Sequence, residues 1–300
     1  MNEAYHIPVL LKESVDAMNI HPDGVYVDVT FGGGGHSMEI LSRLGEHGRL
    51  YAFDQDQDAV ENRIDDPRFT LIQANFQFIK RFLKFEGVKE VDAILGDFGV
   101  SSHQFDEGER GFSIRFDADL DMRMDQNTGM SASELINTYA EEDLAQILWQ
   151  YGEIKMSRKL ARAIVQERET YPIQSTSQLN DILTPFFPTT KVNKFLAQVY
   201  QAIRIEVNQE MEVLKTFLLQ TPEILKKGGR LSLISYHSLE DRLVKRFIRD
   251  GKFSGAPEKD FYGNMLVPLK KVGKLITPSS EEMKQNTRSR SAKLRIGEKL

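Results

Sequence analysis

Apolar and polar positions follow two rhythms over the first hundred residues. The β-branched run Val25 to Val29 predicts a strand, His36 to Leu44 a helix, and Arg49 to Phe53 a second strand ending at Asp54. Gln57 to Ile64 then predicts a short helix, Phe69 to Gln73 a strand, Phe78 to Phe85 a helix, and "VDAILG" (Val91 to Gly96) a fourth strand running into Asp97. Strands alternating with helices in this way predict an α/β domain. Its sheet is parallel with right-handed crossovers, and its ligands lie beyond the carboxyl ends of the strands.

After Ser102 the rhythm breaks. Residues 103–130 are polar and irregular, and helical periods then run from Ser131 to about Gln150, Ser157 to Glu169, Thr176 to Leu183, and Phe195 to about Leu225. "KKGG" ends the last of these, "RLSLIS" (Arg230 to Ser235) returns to the sheet, and the helix "SLEDRLVKRFIRD" follows. The expected organisation is one α/β domain, residues 1–107 and 206–300, interrupted by a helical insertion over 108–205. No internal repeat or low-complexity tract is present.

Composition narrows the chemistry. Three hundred residues with 40% hydrophobic content can bury a substantial core. No run of eighteen apolar residues occurs, and the start "MNEAYHIPVLLKESV" carries neither a basic leader nor a small-residue cleavage site, so a cytoplasmic protein with no membrane partner is expected. The chain has no cysteine, which excludes disulfides, thiolate metal sites and any cysteine nucleophile. The net charge of −5 is unevenly spread. Gln104 to Gln146 holds 11 acidic against 3 basic residues, Lys226 to Lys252 holds 8 basic against 3 acidic, and Asn286 to Leu300 holds 5 basic against Glu298 alone. A polyanion could dock on the basic segments; equally, they could be solvated helix faces.

Four consecutive glycines, Gly32 to Gly35, sit between the first strand and the first helix. A strand, a glycine-rich turn and a helix N-terminus let backbone amides approach a ligand closely. Asp54, closing the next strand twenty residues after Gly34, suits a carboxylate that holds two ribose hydroxyls. Dinucleotides and S-adenosylmethionine both use this arrangement. The Gly-x-Gly-x-x-Gly pattern fits badly, because Gly32 and Gly34 are followed by Ser37, and Gly33 and Gly35 by Met38. Asp28, just ahead of the loop, suits the amino group of S-adenosylmethionine.

The blocks "HIPVLLKESV", "VDVTFGGGGHS", "GDFGVSSHQFDEGERGFS", "LDMRMD", "YGEI", "QAIRIEVNQE", "GGRLSLISYHSLEDRLVKRF" and "RSRSAKLRI" occur in order from His6 to Ile296. Together they resemble the RsmH (MraW) family. That resemblance implies a Rossmann-like class I methyltransferase fold, mainly parallel, with an inserted helical domain that would recognise RNA. It further implies S-adenosylmethionine as cofactor, and methylation at N4 of a cytidine in the decoding region of bacterial 16S rRNA, with the RNA held in the assembled or nearly assembled small ribosomal subunit. Carried over by motif, Gly34, Gly35, His36, Asp54, Phe76, Asp97 and Gln104 line the cofactor site. Thr30 departs from the wider methyltransferase pattern, in which the first glycine of the loop often stands there.

Chemistry then singles out residues. Methylation at cytosine C5 needs a cysteine adding to C6, which this chain lacks, so direct displacement at nitrogen is favoured. The N4 lone pair is delocalised into the ring, and an acceptor for its proton would help localise it. Asp97 is the candidate, either as that acceptor or only as a ligand holder. Tyr236 and His237 follow the "RLSLIS" strand, where an aromatic could stack on an extruded cytosine or simply pack. Arg242, Lys245, Arg246 and Arg249, with Arg288, Arg290 and Arg295 in the tail, are candidate phosphate contacts. No metal is expected: His36, His103 and His237 lack ligand spacing, and methyl transfer from a sulfonium needs no Lewis acid.

Overall fold

The computed structural model describes residues 8–99 and 108–300. The chain divides into two compact units, Met1–Gly99 with Met211–Leu300, and Val100–Glu210.

The first unit is built on seven strands: β1 (Val25–Asp28), β2 (Arg49–Asp54), β3 (Phe69–Gln73), β4 (Val91–Asp97), β5 (Leu225–Ser235), β6 (Leu269–Ile276) and β7 (Lys293–Lys299). Their order across the sheet is β3-β2-β1-β4-β5-β7-β6. The first five are parallel, and β7 is antiparallel to both β5 and β6. This is the expected α/β architecture with a mainly parallel sheet. The chain leaves β1 in one direction to build β2 and β3 and in the other to build β4 and β5. A crevice therefore opens beyond the carboxyl ends of β1 and β4.

Strand alternation explains why both faces are apolar. Tyr26, Leu50, Ala52, Ala93 and Leu95 point to one side, against Ile40 and Leu41 of the helix Gly35–Ser42. Their neighbours Val27, Phe53 and Ile94 point to the other, against Phe217 and Leu218 of the helix Glu210–Ile224 and Phe247 of the helix Ser238–Asp250. Each fully buried side chain of this size contributes about 1.5–3 kcal/mol. This two-sided packing holds the strand ends, and the residues on them, in fixed positions.

The elements depart from the sequence expectation in four places. The helix expected over Gln57 to Ile64 is one turn, Gln57–Val60, followed by turns in which Asn62 Nδ2 donates to the Gly32 carbonyl at 3.3 Å. The run from Ser131 to Gln150 is two helices, Ala132–Thr138 and Glu141–Gln150, because Tyr139 and Ala140 are extended. The long helix from Phe195 breaks at Asn208 and Gln209. There the Asn208 side chain leaves the helical pattern to accept from Met124 N at 2.7 Å and donate to Met122 O at 2.8 Å, and Gln209 takes φ 50°. Finally, "KKGG" does not precede β5 but lies within it as an irregularity: Gly228 adopts φ 79°, and Lys226 Nζ reaches Asp92 of β4 at 2.7 Å.

The second unit is a helical cluster around Leu135, Leu148, Leu160, Ile164, Leu179, Val199 and Ile203. Capping boxes at Ser131 with Glu134 and at Ser175 with Gln178 start two of its helices.

Candidate active site

Three carboxylates end three adjacent parallel strands: Asp54 on β2, Asp28 on β1 and Asp97 on β4. All three are tied to the segment that follows β1. Asp28 Oδ1 accepts from Thr30 N at 3.1 Å, and its Oδ2 accepts from Ser37 Oγ at 2.8 Å. Asp54 Oδ2 accepts from Gly32 N at 2.8 Å and its Oδ1 from Asp56 N at 2.9 Å. The N–H of Asp97 donates to Thr30 Oγ1 at 2.6 Å. Thr30 thus binds the ends of β1 and β4 together, a bond that the glycine usual at this place could not make.

The glycines divide by what they do. Gly32 and Gly34 take φ 51° and 76°, conformations that side chains rarely tolerate. Gly34 ends the turn by donating to Phe31 O at 2.8 Å and opens the helix Gly35–Ser42, while a Cβ on it would meet the Phe31 ring at 3.0 Å. On Gly35 a Cβ would fall 2.2 Å from Pro8 Cγ. Both therefore have packing reasons. Gly32 differs: a Cβ there would have no heavy atom within 4 Å, so its bare backbone borders open space beside Asp54. The sequence argument chose Gly34 and Gly35 and passed over Gly32.

His36 is buried, and its Nε2 lies 3.2 Å from Val9 O. Burial pushes its pKa down to about 4, so the ring is neutral and Nε2–H donates to that carbonyl. It pins the residues before the first helix. Phe76 is half-buried and forms an aromatic cluster with Phe98, at 5.8 Å between ring centres, and Phe217, at 5.3 Å. Gln104 lies outside the described residues.

Electrostatically the crevice is primed for a cation. Burial pushes Asp28 up to about 6, against the hydrogen bonds from Ser37 and Thr30. Asp54 also rises to about 6 through burial, with the charges of Asp56 and Asp28 adding to the effect. Asp97 rises furthest, to about 8. Burial is the main cause, Asp28 and Glu240 add repulsion, and a hydrogen bond from Tyr236 partly offsets them. Asp97 Oδ1 is buried and has no hydrogen-bond partner among the described residues.

Tyr236 follows β5 directly, and its hydroxyl is engaged with Asp97. Burial and the neighbouring carboxylates hold its phenol well above the usual range, so it remains a donor. Its position there is that of a brace for Asp97. His237 caps the helix Ser238–Asp250: Nδ1 accepts from Glu240 N at 3.4 Å, and Nε2 lies 3.1 Å from Glu240 Oε1. The buried Glu240 accepts from Tyr236 N at 2.9 Å and His237 N at 3.3 Å. It locks the turn that carries Tyr236.

The candidate phosphate contacts separate into two groups. Arg295 forms a bidentate pair with Asp241, at 2.6 and 3.2 Å, both side chains largely buried. Arg249 pairs with Asp250 at 2.6 Å, and Arg246 donates to Gly255 O at 2.8 Å. These three serve the fold. Arg242, Lys245, Arg288 and Arg290 are exposed. The structure thus brings Asp28, Asp54, Asp97 and Tyr236 to the sheet's carboxyl edge, and gives Arg246 a local structural partner.

The model of the MraW methylase family matches residues 3–300. The chain is 68% identical over 296 residues to the ribosomal RNA small subunit methyltransferase H of Christiangramia forsetii, covering 99% of this chain and 98% of that one. It is 62% identical to the protein of the same name from Flavobacterium johnsoniae, with the same coverage of both chains. With that from Bacteroides thetaiotaomicron it shares 57%, over 98% of this chain and 97% of the relative. A match over the whole length, on a sheet whose strand ends carry these three carboxylates, shows that the chain belongs to the MraW methylase family, with S-adenosylmethionine as its methyl donor.

Proposed function

We propose that this protein methylates N4 of a cytidine in the decoding region of 16S rRNA, in an assembled or nearly assembled small ribosomal subunit, by direct displacement without a covalent enzyme intermediate. The observation that carries the proposal is the buried Oδ1 of Asp97 at the end of β4, without a hydrogen-bond partner among the described residues, next to Asp28 on β1 and one strand further from Asp54 on β2. Substrate support comes from the relatives, which are named as small-subunit rRNA methyltransferases, and from the motif resemblance, which also assigns the helical insertion, 108–205, to RNA recognition.

The donor set suits S-adenosylmethionine. Asp54 uses one lone pair on each oxygen for Gly32 N and Asp56 N, leaving the others for two ribose hydroxyls. Gly32 leaves room for a ligand against the backbone, and Phe76 offers a ring for an adenine. Asp28, with both oxygens engaged by the loop, contributes its negative charge. Asp28, just ahead of the glycine loop, counts against a nicotinamide dinucleotide, whose anionic pyrophosphate it would repel.

When bound, S-adenosylmethionine supplies an electrophilic methyl group on a cationic sulfonium. The residues of the chain do the rest. Asp97 holds a proton in most of the free protein at neutral pH, and a cation beside it returns it to the carboxylate. Tyr236 fixes one carboxylate oxygen by donating to it, which leaves Oδ1 to receive a proton from N4. Asp97 Oδ1 would take the N4 proton as the nitrogen is methylated, with the bound S-adenosylmethionine supplying the methyl group and retaining the bonding pair on its sulfur. With no cysteine available to add to C6, direct displacement at nitrogen is favoured over methylation at C5, in line with the N4 position that the resemblance implies.

The test is Asp97→Asn, assayed in a single turnover on unmethylated small subunits with cofactor and RNA both saturating. A rate loss of about 100-fold or more, with cofactor affinity within a few-fold, is expected of a proton acceptor. A near wild-type rate under saturation would leave Asp97 as a ligand holder only.

A further inference from the structure

The chain between the helix Ser238–Asp250 and β6 carries a feature that the methyl-transfer chemistry does not use. Residues 258–266 fold back on themselves in a short turn. Lys259 and Met265 form an antiparallel bridge, Leu266 N donates to Glu258 O at 2.8 Å, and Asp260 N donates to Asn264 O at 2.9 Å. Gly263 N closes the turn on Asp260 O at 3.0 Å. The Asp260 carboxylate braces it further, accepting from Tyr262 N, Asn264 N and Asn264 Nδ2 at 2.8–2.9 Å. Asp and Gly at the turn's ends are what this geometry needs. Its two central positions need nothing large, yet they carry Phe261 and Tyr262.

Both rings stand in solvent, Phe261 97% and Tyr262 85% exposed, set edge to face at 5.6 Å. Met265 and Leu266 extend the apolar surface. Two adjacent aromatics held outward on so heavily bonded a turn form a preset contact rather than a packing element. The surrounding charge indicates what they meet. Glu258 faces Lys252 at 3.8 Å, Asp260 is used within the turn, and Glu298 is taken by Arg230 and Lys270. That leaves Lys259, which lies in the turn itself, exposed and without an acidic partner among the described residues. Aromatic faces beside an unbalanced lysine are the chemistry of single-stranded nucleic acid, in which bases stack on rings and phosphates meet cations.

We infer that the Phe261–Tyr262 turn is a second RNA contact, in which the two rings stack on unpaired bases of the rRNA substrate outside the target cytidine. This rests on the proposed rRNA methyltransferase activity and adds a recognition point on the chain before β6.

The test compares wild type, Phe261→Ala/Tyr262→Ala and Phe261→Trp on unmethylated small subunits. The double alanine variant should raise KM for the subunit about tenfold or more, with kcat and cofactor affinity unchanged, and Phe261→Trp should retain wild-type KM. In a Trp149→Phe background, the fluorescence of Phe261→Trp should be quenched when small subunits are added, as stacking requires. A KM within twofold of wild type for the double variant, together with unquenched fluorescence, overturns the inference. If wild type itself fails to methylate small subunits, the activity proposal falls, and the quenching measurement alone decides the contact.

Discussion

The backbone N–H of Asp97 donates to Thr30 Oγ1 at 2.6 Å, so the residue that departs from the common glycine pattern holds the candidate proton acceptor in place. Thr30→Val keeps the shape and removes the acceptor. It should destabilise the protein by about 1–2 kcal/mol, the cost of an unmet buried donor, and slow single-turnover methyl transfer more than it weakens cofactor binding. Thermal unfolding and single-turnover kinetics check the two halves; a slower rate that saturating cofactor restores would place Thr30 with the cofactor instead.

The raised carboxyls make a pH prediction whose sign is fixed. A group with its folded pKa above its unfolded value binds more protons folded than unfolded between the two, so stability falls as pH rises through that interval. For Asp28 and Asp54 the interval runs from about 4 to about 6, and for Asp97 from about 4 to about 8. The cofactor-free protein should therefore lose stability from these groups between pH 4 and pH 8, and Asp97→Asn should be more stable than wild type at pH 8 by at least about 1 kcal/mol. Calorimetry at pH 7 in two buffers of different ionisation enthalpy should show proton release with S-adenosylmethionine and less with S-adenosylhomocysteine, which lacks the sulfonium charge. Equal release would mean that the sulfonium does not sit against Asp97.

Asp54→Ala should weaken S-adenosylmethionine binding by about 2–4 kcal/mol, because two ribose hydroxyls lose a charged acceptor. Titration calorimetry measures this directly, and unchanged affinity would remove Asp54 from the site.

The basic residues should divide in function as they divide in structure. Arg295→Ala breaks the largely buried pair with Asp241 and should lower the melting temperature. Lys245→Ala and Arg290→Ala should leave stability alone, and each should reduce the slope of log affinity for RNA against log salt by about one. A wild-type slope in both would make those side chains a solvated face.

Much of this was legible in the sequence, for identifiable reasons. β1, β2 and β4 are short β-branched or apolar runs closed by Asp28, Asp54 and Asp97, and buried parallel strands read as unbroken apolar stretches. β6 was not legible. Its residues Lys270, Lys271, Gly273 and Lys274 face solvent at the sheet's edge, and only pairing with β7 makes it a strand. The roles of Gly34, Gly35 and Arg295 were hidden because Phe31, Pro8 and Asp241, which explain them, are contacts the fold supplies. Tyr236 offered an aromatic beside the site, but its hydrogen bond to Asp97 across two parallel strands has no signature in local sequence. Gly32 could have been chosen by asking which glycine stands opposite Asp54 in the neighbouring strand.

The central claim is that this chain moves a methyl group to the exocyclic nitrogen of a cytidine in small-subunit RNA. The direct measurement is to incubate unmethylated small subunits with the protein and methyl-labelled S-adenosylmethionine, digest the 16S RNA to nucleosides and weigh them by mass spectrometry. The account predicts label in N4-methylcytidine, mapped to a decoding-region fragment and lost with Asp97→Asn. Label in 5-methylcytidine, in another base, or in no nucleoside at all would contradict it.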